Sequence, residues 1–287
     1  MFISPMLLET SNTAFNDPNY IFEPKYDGHR LIYSHINGTT RLYTRHNNEC
    51  TKTYPEIAAV PFSDDIILDG EVVVIDPYTG TVDFESVMSR FQASRDLTIK
   101  KLSKQIPVSF VVFDILRYKG QDLRGLPLME RKKILQSIDF QGNKHIVPTP
   151  YIEGAGEALF ADICSKQLEG IVCKKKDSVY VSRRSEAWKK VINWTYVDVK
   201  IMGFRKGEFG WLAAIEDGEG NLRAAGMIEL GVNSEHKKEF HRLKNQLILR
   251  EEKSIVFLQP LIRAKVKIRN FTKAGMLRDP AFVKFIS

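Results

Sequence analysis

The sequence predicts an α+β protein in two parts, a larger domain of short strands with a few helices between them, then a small closed β-barrel. Three observations predict it. Hydrophobic residues make up 43% of 287 positions, enough for two modest cores at roughly 100–200 residues per domain. Most apolar runs are short, β-branched and bounded by turn residues, and few stretches carry helical spacing. The pattern changes near Trp194, after which strands crowd into about 95 residues, the length of a small barrel.

Each element has its own signal. Residues 66–76, IILDGEVVVID, read as a β-branched strand interrupted at Asp69-Gly70 and closed by Pro77 and a Tyr-Thr-Gly turn. Residues 108–116, VSFVVFDIL, form a nearly continuous apolar run, as in a strand buried on both faces. Residues 127–138 place Leu128, Ile134, Leu135 and Ile138 near one helical face and start with proline, which suits a first turn. In LEGIVCKKK, residues 168–176, strand alternation puts Ile171 and Cys173 on one face and Val172 and Lys174 on the other.

Beyond Trp194, YVDVKIMGF alternates polar and apolar residues, and GWLAAIEDGEGNLRAAGMIEL reads as a hairpin turning at Asp-Gly-Glu-Gly. A charged helix over residues 234–249 comes next, followed by two strands, SIVFLQPL and RAKVKIRN. Five or so strands with one helix suit an OB-fold β-barrel. The domain boundary therefore falls around Thr195, giving segments 1–194 and 195–287.

Charge and cysteine content narrow the setting. A formal charge of +7, from 42 Lys and Arg against 35 acids, suits a polyanionic partner without requiring one. Cys50, Cys164 and Cys173 stand far apart, against a disulfide framework or a zinc site and in keeping with a reducing cytoplasm. No apolar run approaches the ~20 residues needed to span a bilayer, and MFISPMLLETSN is too short and polar for a signal peptide. A cytoplasmic protein without membrane contact is expected.

The chemistry centres on EPKYDGHR, residues 23–30, where Lys25 stands between Glu23 and an Asp27-Gly28 pair. By itself this octapeptide reads equally well as a surface turn. Further segments add to it: YTRHN with Arg45, LDGEVVV with Asp69 and Glu71 on one strand face, VVFDIL with Phe113 and Asp114, and LEGIVCKKK with Glu169 and Lys174. RRSEAWKKVINW then crowds arginines and lysines around Trp188. Singly, each fits a turn, a core phenylalanine or a solvated basic face. Yet charges inside buried strands are costly unless paired or metal-bound, and Glu71, Asp114 and Glu169 all fall in such runs. A divalent metal and a phosphate-rich ligand would give them a common cause.

The order EPKYDGHR, YTRHN, ILDGEVVV, VVFDIL, LEGIVCKKK, RRSEAWKKV resembles the ordered motif set of the ATP-dependent DNA ligases, within the covalent nucleotidyltransferase superfamily. It is most similar to the ligase module of bacterial end-joining enzymes, where PML near the start and GQDLRGLPLMERK also have counterparts. The resemblance covers nearly the whole chain, from Pro5 to Phe282.

The resemblance implies a nucleotidyltransferase domain of ATP-grasp-like antiparallel sheets over 1–194 and a DNA-binding OB-fold over 195–287. Lys25 would be the nucleophile that takes AMP from ATP, a step that needs its free amine. Glu71 and Glu169 would hold Mg²⁺, or Mn²⁺ in its place. Phe113 would stack on adenine, Glu23 would fix the base or its ribose, and Asp27, beside Gly28, would orient the lysine and a metal-bound water. Lys174 and Lys190 would meet the nucleotide, and Arg30 and Arg45 both the nucleotide and the nick phosphate. Lys265, Lys267 and Arg269 would follow the DNA backbone. The implied partner is nicked double-stranded DNA, met by a monomer, with a DNA-end-binding protein as a further partner.

Two departures accompany the match. The family's W-x-K-x-K reads Trp188-Lys189-Lys190-Val191-Ile192 here, so Ile192 takes the second lysine's place and Lys189 points to the opposite face. The sequence ends at Ser287 without the Arg-x-Asp-Lys motif that helps orient pyrophosphate. Slow self-adenylylation is therefore expected, unless cations such as Lys273 and Arg278 substitute. The alternatives are an mRNA-capping-type guanylyltransferase, which also uses K-x-D-G, and a catalytically weak homologue that holds DNA ends.

Overall fold

The computed structural model describes residues 1–60, 62–76, 78–140, 143 and 145–286. It divides into two compact units, Met1–Asn193 and Trp194–Ser287. The expected closing residue Pro77 lies outside the described residues, as does the final Ser287.

The first unit runs β1 (Leu7–Thr10), β2 (Asp17–Pro24), β3 (His29–Ile36), β4 (Thr39–Thr44), α1 (Pro55–Ala58), β5 (Ile66–Val73), α2 (Phe84–Gln92) and α3 (Asp96–Gln105). It continues with β6 (Ser109–Tyr118), β7 (Gln121–Asp122), α4 (Leu128–Gln136), β8 (Ile146–Pro148), β9 (Ile152–Gly154), α5 (Gly156–Ser165), β10 (Gly170–Lys175) and β11 (Arg184–Ile192). One sheet has the order β1-β11-β10-β2-β9, the other β4-β3-β5-β6-β7 with β8 also on β6. The sheets are not wholly antiparallel as expected, because β1 pairs with β11, and β8 with β6, in parallel. A buried cluster including Ile21, Ile32, Ile67, Leu116 and Trp188 draws on strands of both sheets.

Three local readings change. Asp69-Gly70 does not interrupt β5, which runs straight through it, with register shifts against β6 on either side of Leu68-Asp69. Gly70 is needed for space, since a Cβ there would lie 2.5 Å from the Phe110 ring and from Val111 O. In α4, Pro127 caps the helix instead of opening its first turn. Its buried residues are Leu128, Arg131, Lys132 and Leu135, with Ile134 and Ile138 only partly buried. Two cations sit on the core face because two buried carboxylates receive them. The faces of β10 are as expected, with Ile171 and Cys173 packed in one apolar cluster with Phe22.

The second unit comprises β12 (Thr195–Arg205), β13 (Trp211–Glu216), β14 (Leu222–Ile228), α6 (Ser234–Lys244), β15 (Ile248–Glu251), β16 (Ile255–Ile268) and β17 (Ala281–Ile286). Its sheet, ordered β14-β13-β12-β16-β15 with β17 also on β16, is antiparallel throughout these pairings. The hairpin between β13 and β14 turns as expected, where the Asp217 carboxylate accepts from the backbone N–H of Glu219 and Asn221. The helix is shorter than expected, because residues 248–251 leave it to pair with β16. The two expected strands SIVFLQPL and RAKVKIRN are one strand. Its halves pair with β12 on either side of a register jump, and Pro260, with no N–H to donate, falls in the skipped stretch. β17 and the segment before it also reach the other side of the sheet, where Leu277 N–H donates to Ala225 O and Phe282 N–H to Leu230 O.

Candidate active site

Lys25 follows β2 directly, in the crossing from one sheet of the first unit to the other. Its backbone N–H donates to Gly170 O at 2.8 Å, which pins this loop to the start of β10. Its Nζ donates to Glu169 Oε2 at 2.8 Å, with the lysine side chain 19% and the glutamate 8% exposed. Glycines set both neighbouring carboxylates. Gly170 has φ of +151°, and a Cβ there would meet Val191 O at 2.1 Å, so the residue after Glu169 must be glycine. At Gly28 a Cβ would meet Val72 O at 2.2 Å and Glu71 Cγ at 2.8 Å. Asp-Gly in EPKYDGHR therefore serves a close approach to the strand that bears Glu71.

Burial, reinforced by Glu169 and Asp69 and opposed by Lys25 and Arg30, pushes the Glu71 carboxyl up to about 7. Arg30 is gripped from below, its Nε donating to Asp69 Oδ1 at 2.8 Å and its Nη2 to Oδ2 at 2.6 Å. The guanidinium lies 4.9 Å from the centre of the Phe113 ring, and Lys174 Nζ lies 4.5 Å from the same ring. Burial brings Lys174 down to about 8, although Glu23 at 2.7 Å favours its charge. Lys132, from the buried face of α4, pairs with the same Glu23 carboxylate.

These groups surround a cleft. Leu8, Val172, Phe113 and Trp188 give it apolar walls. Glu23, Lys25, Arg30, Glu71 and Lys174 bring polar groups to it. An apolar slot with a few converging charges is the usual form of a small-ligand site. Glu71 and Glu169 also suit Mg²⁺, which is commonly held by one or two carboxylates while phosphate and water oxygens fill the remaining positions. Among the described residues, no group of three or more His, Cys, Asp or Glu could hold an ion by itself.

Other expected residues stand apart. Arg45 is exposed in the turn after β4. Asp27 and Lys190 do not line the cleft, though Lys190 lies across from Val172, which does. Lys189 points the other way, 6.0 Å from the Phe15 ring, and Ile192 is buried at 6% exposure. Asp114 is not a ligand group, since Arg131 donates to both its oxygens at 2.8 Å. Lys265 and Lys267 lie on β16 and Arg269 just beyond it, with Lys267 and Arg269 each within 4.9 Å of the Trp194 ring centre.

Sequence reasoning missed Leu8, Tyr26, Lys132 and Tyr180, and left Trp188 without a place in the site. For Lys132 the signal was present, since 128, 132 and 135 follow helical spacing. For Tyr180, between β10 and β11, no sequence signal pointed inward.

The model of the "ATP dependent DNA ligase domain" matches residues 5–191. The SPbeta prophage-derived DNA ligase-like protein LigB of Bacillus subtilis is 40% identical over 98% of both chains. The multifunctional non-homologous end joining DNA repair protein LigD of Mycobacterium tuberculosis is 28% identical over 98% of this chain, which spans 38% of that protein's length. Among solved structures, mycobacterial DNA ligase D complexed with ATP and MES is similar at 27% identity and TM-score 0.60, covering 99% of this chain and 94% of the other.

Proposed function

This chain belongs to the ATP-dependent DNA ligase family, and from that premise we propose that it seals 5′-phosphate/3′-hydroxyl nicks in duplex DNA through a lysyl-AMP and a DNA-adenylate. In the first step Lys25 Nζ, as the free amine, attacks the α-phosphorus of ATP. The nitrogen–phosphorus bond forms as pyrophosphate leaves, and Glu169 Oε2 stands 2.8 Å from Nζ to receive a proton. The nick's 5′-phosphate then displaces Lys25 from the AMP phosphorus. Last, the 3′-hydroxyl attacks the 5′-phosphorus and AMP departs.

The remaining roles follow from position. Phe113 and Trp188, their rings at 81° to one another, would wall the slot for the base, with Glu23 among its polar groups. Arg30 and Lys174 bring positive charge to the phosphates. Glu71 and Glu169 would hold Mg²⁺, which when bound screens the phosphate oxygens. Gly28 keeps the Lys25 loop against Glu71, and Asp27, Lys190 and Arg45 would join the nucleotide or nick from the rim. The second unit reads as an OB-fold, supported by its antiparallel order and by the bonds that tie β17 and the segment before it back to the region of β14. Lys265, Lys267 and Arg269 would follow the DNA backbone. The protein would act as a monomer in the cytoplasm, an end-binding protein being a further partner.

One observation carries the reading, namely Lys25 joined to Glu169 at 2.8 Å in a cleft walled by Phe113 and Trp188. The test is incubation with Mg²⁺ and α-labelled ATP or GTP beside Lys25→Ala. Label from ATP that the variant lacks, and that a nicked duplex discharges into sealed product, is the expected result. Label from GTP alone would make the protein a guanylyltransferase. The buried Ile192, which supplies no charge where the family has a lysine, favours a second reading as a DNA-holding homologue. Nick binding without any label would establish that one.

A further inference from the structure

Tyr180 does not line the cleft, yet it is bonded to what does. Its ring is buried at 5% exposure in the connection between β10 and β11. The hydroxyl donates to Asp69 Oδ2 at 2.7 Å and accepts from the backbone N–H of Met6 at 3.0 Å. Asp69 has no exposed surface and gives its two oxygens to Arg30. Arg30 in turn lies over Phe113, so a chain of short hydrogen bonds runs from the interior to the cleft wall. Burial, together with the Asp69 charge, raises the phenol well above its usual range, so the hydroxyl keeps its proton for Asp69 at any working pH.

We propose that Tyr180 is a positioning residue for the transfer of AMP to Lys25: it fixes the Asp69 carboxylate, and through it the direction of the Arg30 guanidinium at the cleft. The proposal rests on the nick-sealing reading. An arginine can turn about its long side chain, and two bonds to one carboxylate fix it only if that carboxylate is itself fixed. Asp69 Oδ2 accepts from both Arg30 and Tyr180, so the hydroxyl blocks the carboxylate rotation that would swing the guanidinium off Phe113. Misdirected, Arg30 would still attract ATP by its charge but would meet the phosphates less well in the transition state.

The same hydroxyl also satisfies the Met6 N–H, a purely structural duty that a single variant cannot separate from positioning. A double-mutant cycle separates them. Single-turnover labelling by α-labelled ATP would be measured for the full chain, Tyr180→Phe, Arg30→Lys and the double variant, with thermal midpoints recorded alongside. Tyr180→Phe is expected to slow maximal labelling by roughly tenfold with half-saturation by ATP changed less than about threefold, as for an interaction made mainly in the transition state. In the Arg30→Lys background the same change should cost less than about twofold. Equal losses in both backgrounds, or a loss confined to half-saturation, would overturn the proposal. Should Tyr180→Phe not fold, Asp69→Asn carries the test, because it keeps the shape while weakening the grip on Arg30. Its loss must likewise vanish beside Arg30→Lys. A parent chain that takes no label from ATP would remove the nick-sealing reading itself, and the role of Tyr180 with it.

Discussion

In the first unit the side chains of Glu23, Lys132 and Lys174 are each 2% exposed, and Glu23 holds both lysines at the cleft. In the second, the exposed Arg263 and the half-buried Lys265, Lys267 and Arg269 alternate with buried residues along one face of β16 and its end. The residue types are alike and the physics is opposite. A buried charge cannot be rehydrated, so removing its partner costs about 3–5 kcal/mol, whereas an exposed pair is worth about 0–1 kcal/mol. The first region should therefore respond to single substitutions in stability and chemical rate. The second should respond in salt-dependent affinity, one small step per residue.

The largest effect is expected at the ion pair of Asp114 and Arg131, neither of which is exposed. Arg131→Met leaves Asp114 charged in the core and also strips donors from Leu126 O and Ser178 O. The transition of the first unit in urea should lose about 3–5 kcal/mol. A loss below about 1 kcal/mol would show that water reaches Asp114, and the contrast between the two regions would lose its basis.

Next comes Glu71, where stability and function should part. Its carboxyl, at about 7 instead of the usual 4.5, binds its proton more tightly folded than unfolded. The stability this gives is complete below pH 4.5 and is lost as the pH rises toward 7. Glu71→Gln has no charge to bury, so relative to the parent it should gain stability between pH 5 and 8, by up to about 3 kcal/mol, and gain nothing at pH 4. Mg²⁺ at pH 8 should raise the parent's thermal midpoint and leave the variant's in place. A variant less stable than the parent at pH 8 would mean that Glu71 is held by its cations more than it is penalised by burial.

How much of this was legible follows the same division. The order of motifs singled out Lys25, Glu71 and Phe113, which line one cleft, and Glu169, which bonds Lys25, because each lies on or beside a strand whose alternation can be read. Asp114 misled, since a buried acid in a strand looks alike whether it faces a ligand or an arginine from a helix 17 residues on. Lys132 was hidden by the habit of reading lysines on a helix as its wet face. Tyr180 and Leu8 reach the site only through pairings of distant segments, Tyr180 with Asp69 across 111 residues and β1 with β11, and no local pattern announces those. In the second unit the alternation was plain, and the joining of two strands across Pro260 was not, because proline usually ends a ladder.

The smallest effects should come from β16, and they sharpen the comparison from within. Lys267 and Arg269 lie 4.8 and 4.9 Å from the Trp194 ring centre, and a ring contact orients the Lys267 head without cancelling its charge. Lys265 instead pairs with Asp198 at 3.1 Å and must give up that contact to meet a phosphate. Lys267→Ala should weaken binding to a nicked duplex by a few fold at low salt and lower the slope of log affinity against log salt by about 0.9. Lys265→Ala should do distinctly less. Asp198→Asn should tighten binding, since it frees Lys265 and removes a charge that repels the backbone. Fluorescence anisotropy across a salt series would measure all three. Equal slopes lost at Lys265 and Lys267 would mean that Asp198 exerts no hold when DNA is present. An unchanged slope at both would take the DNA path off this face altogether.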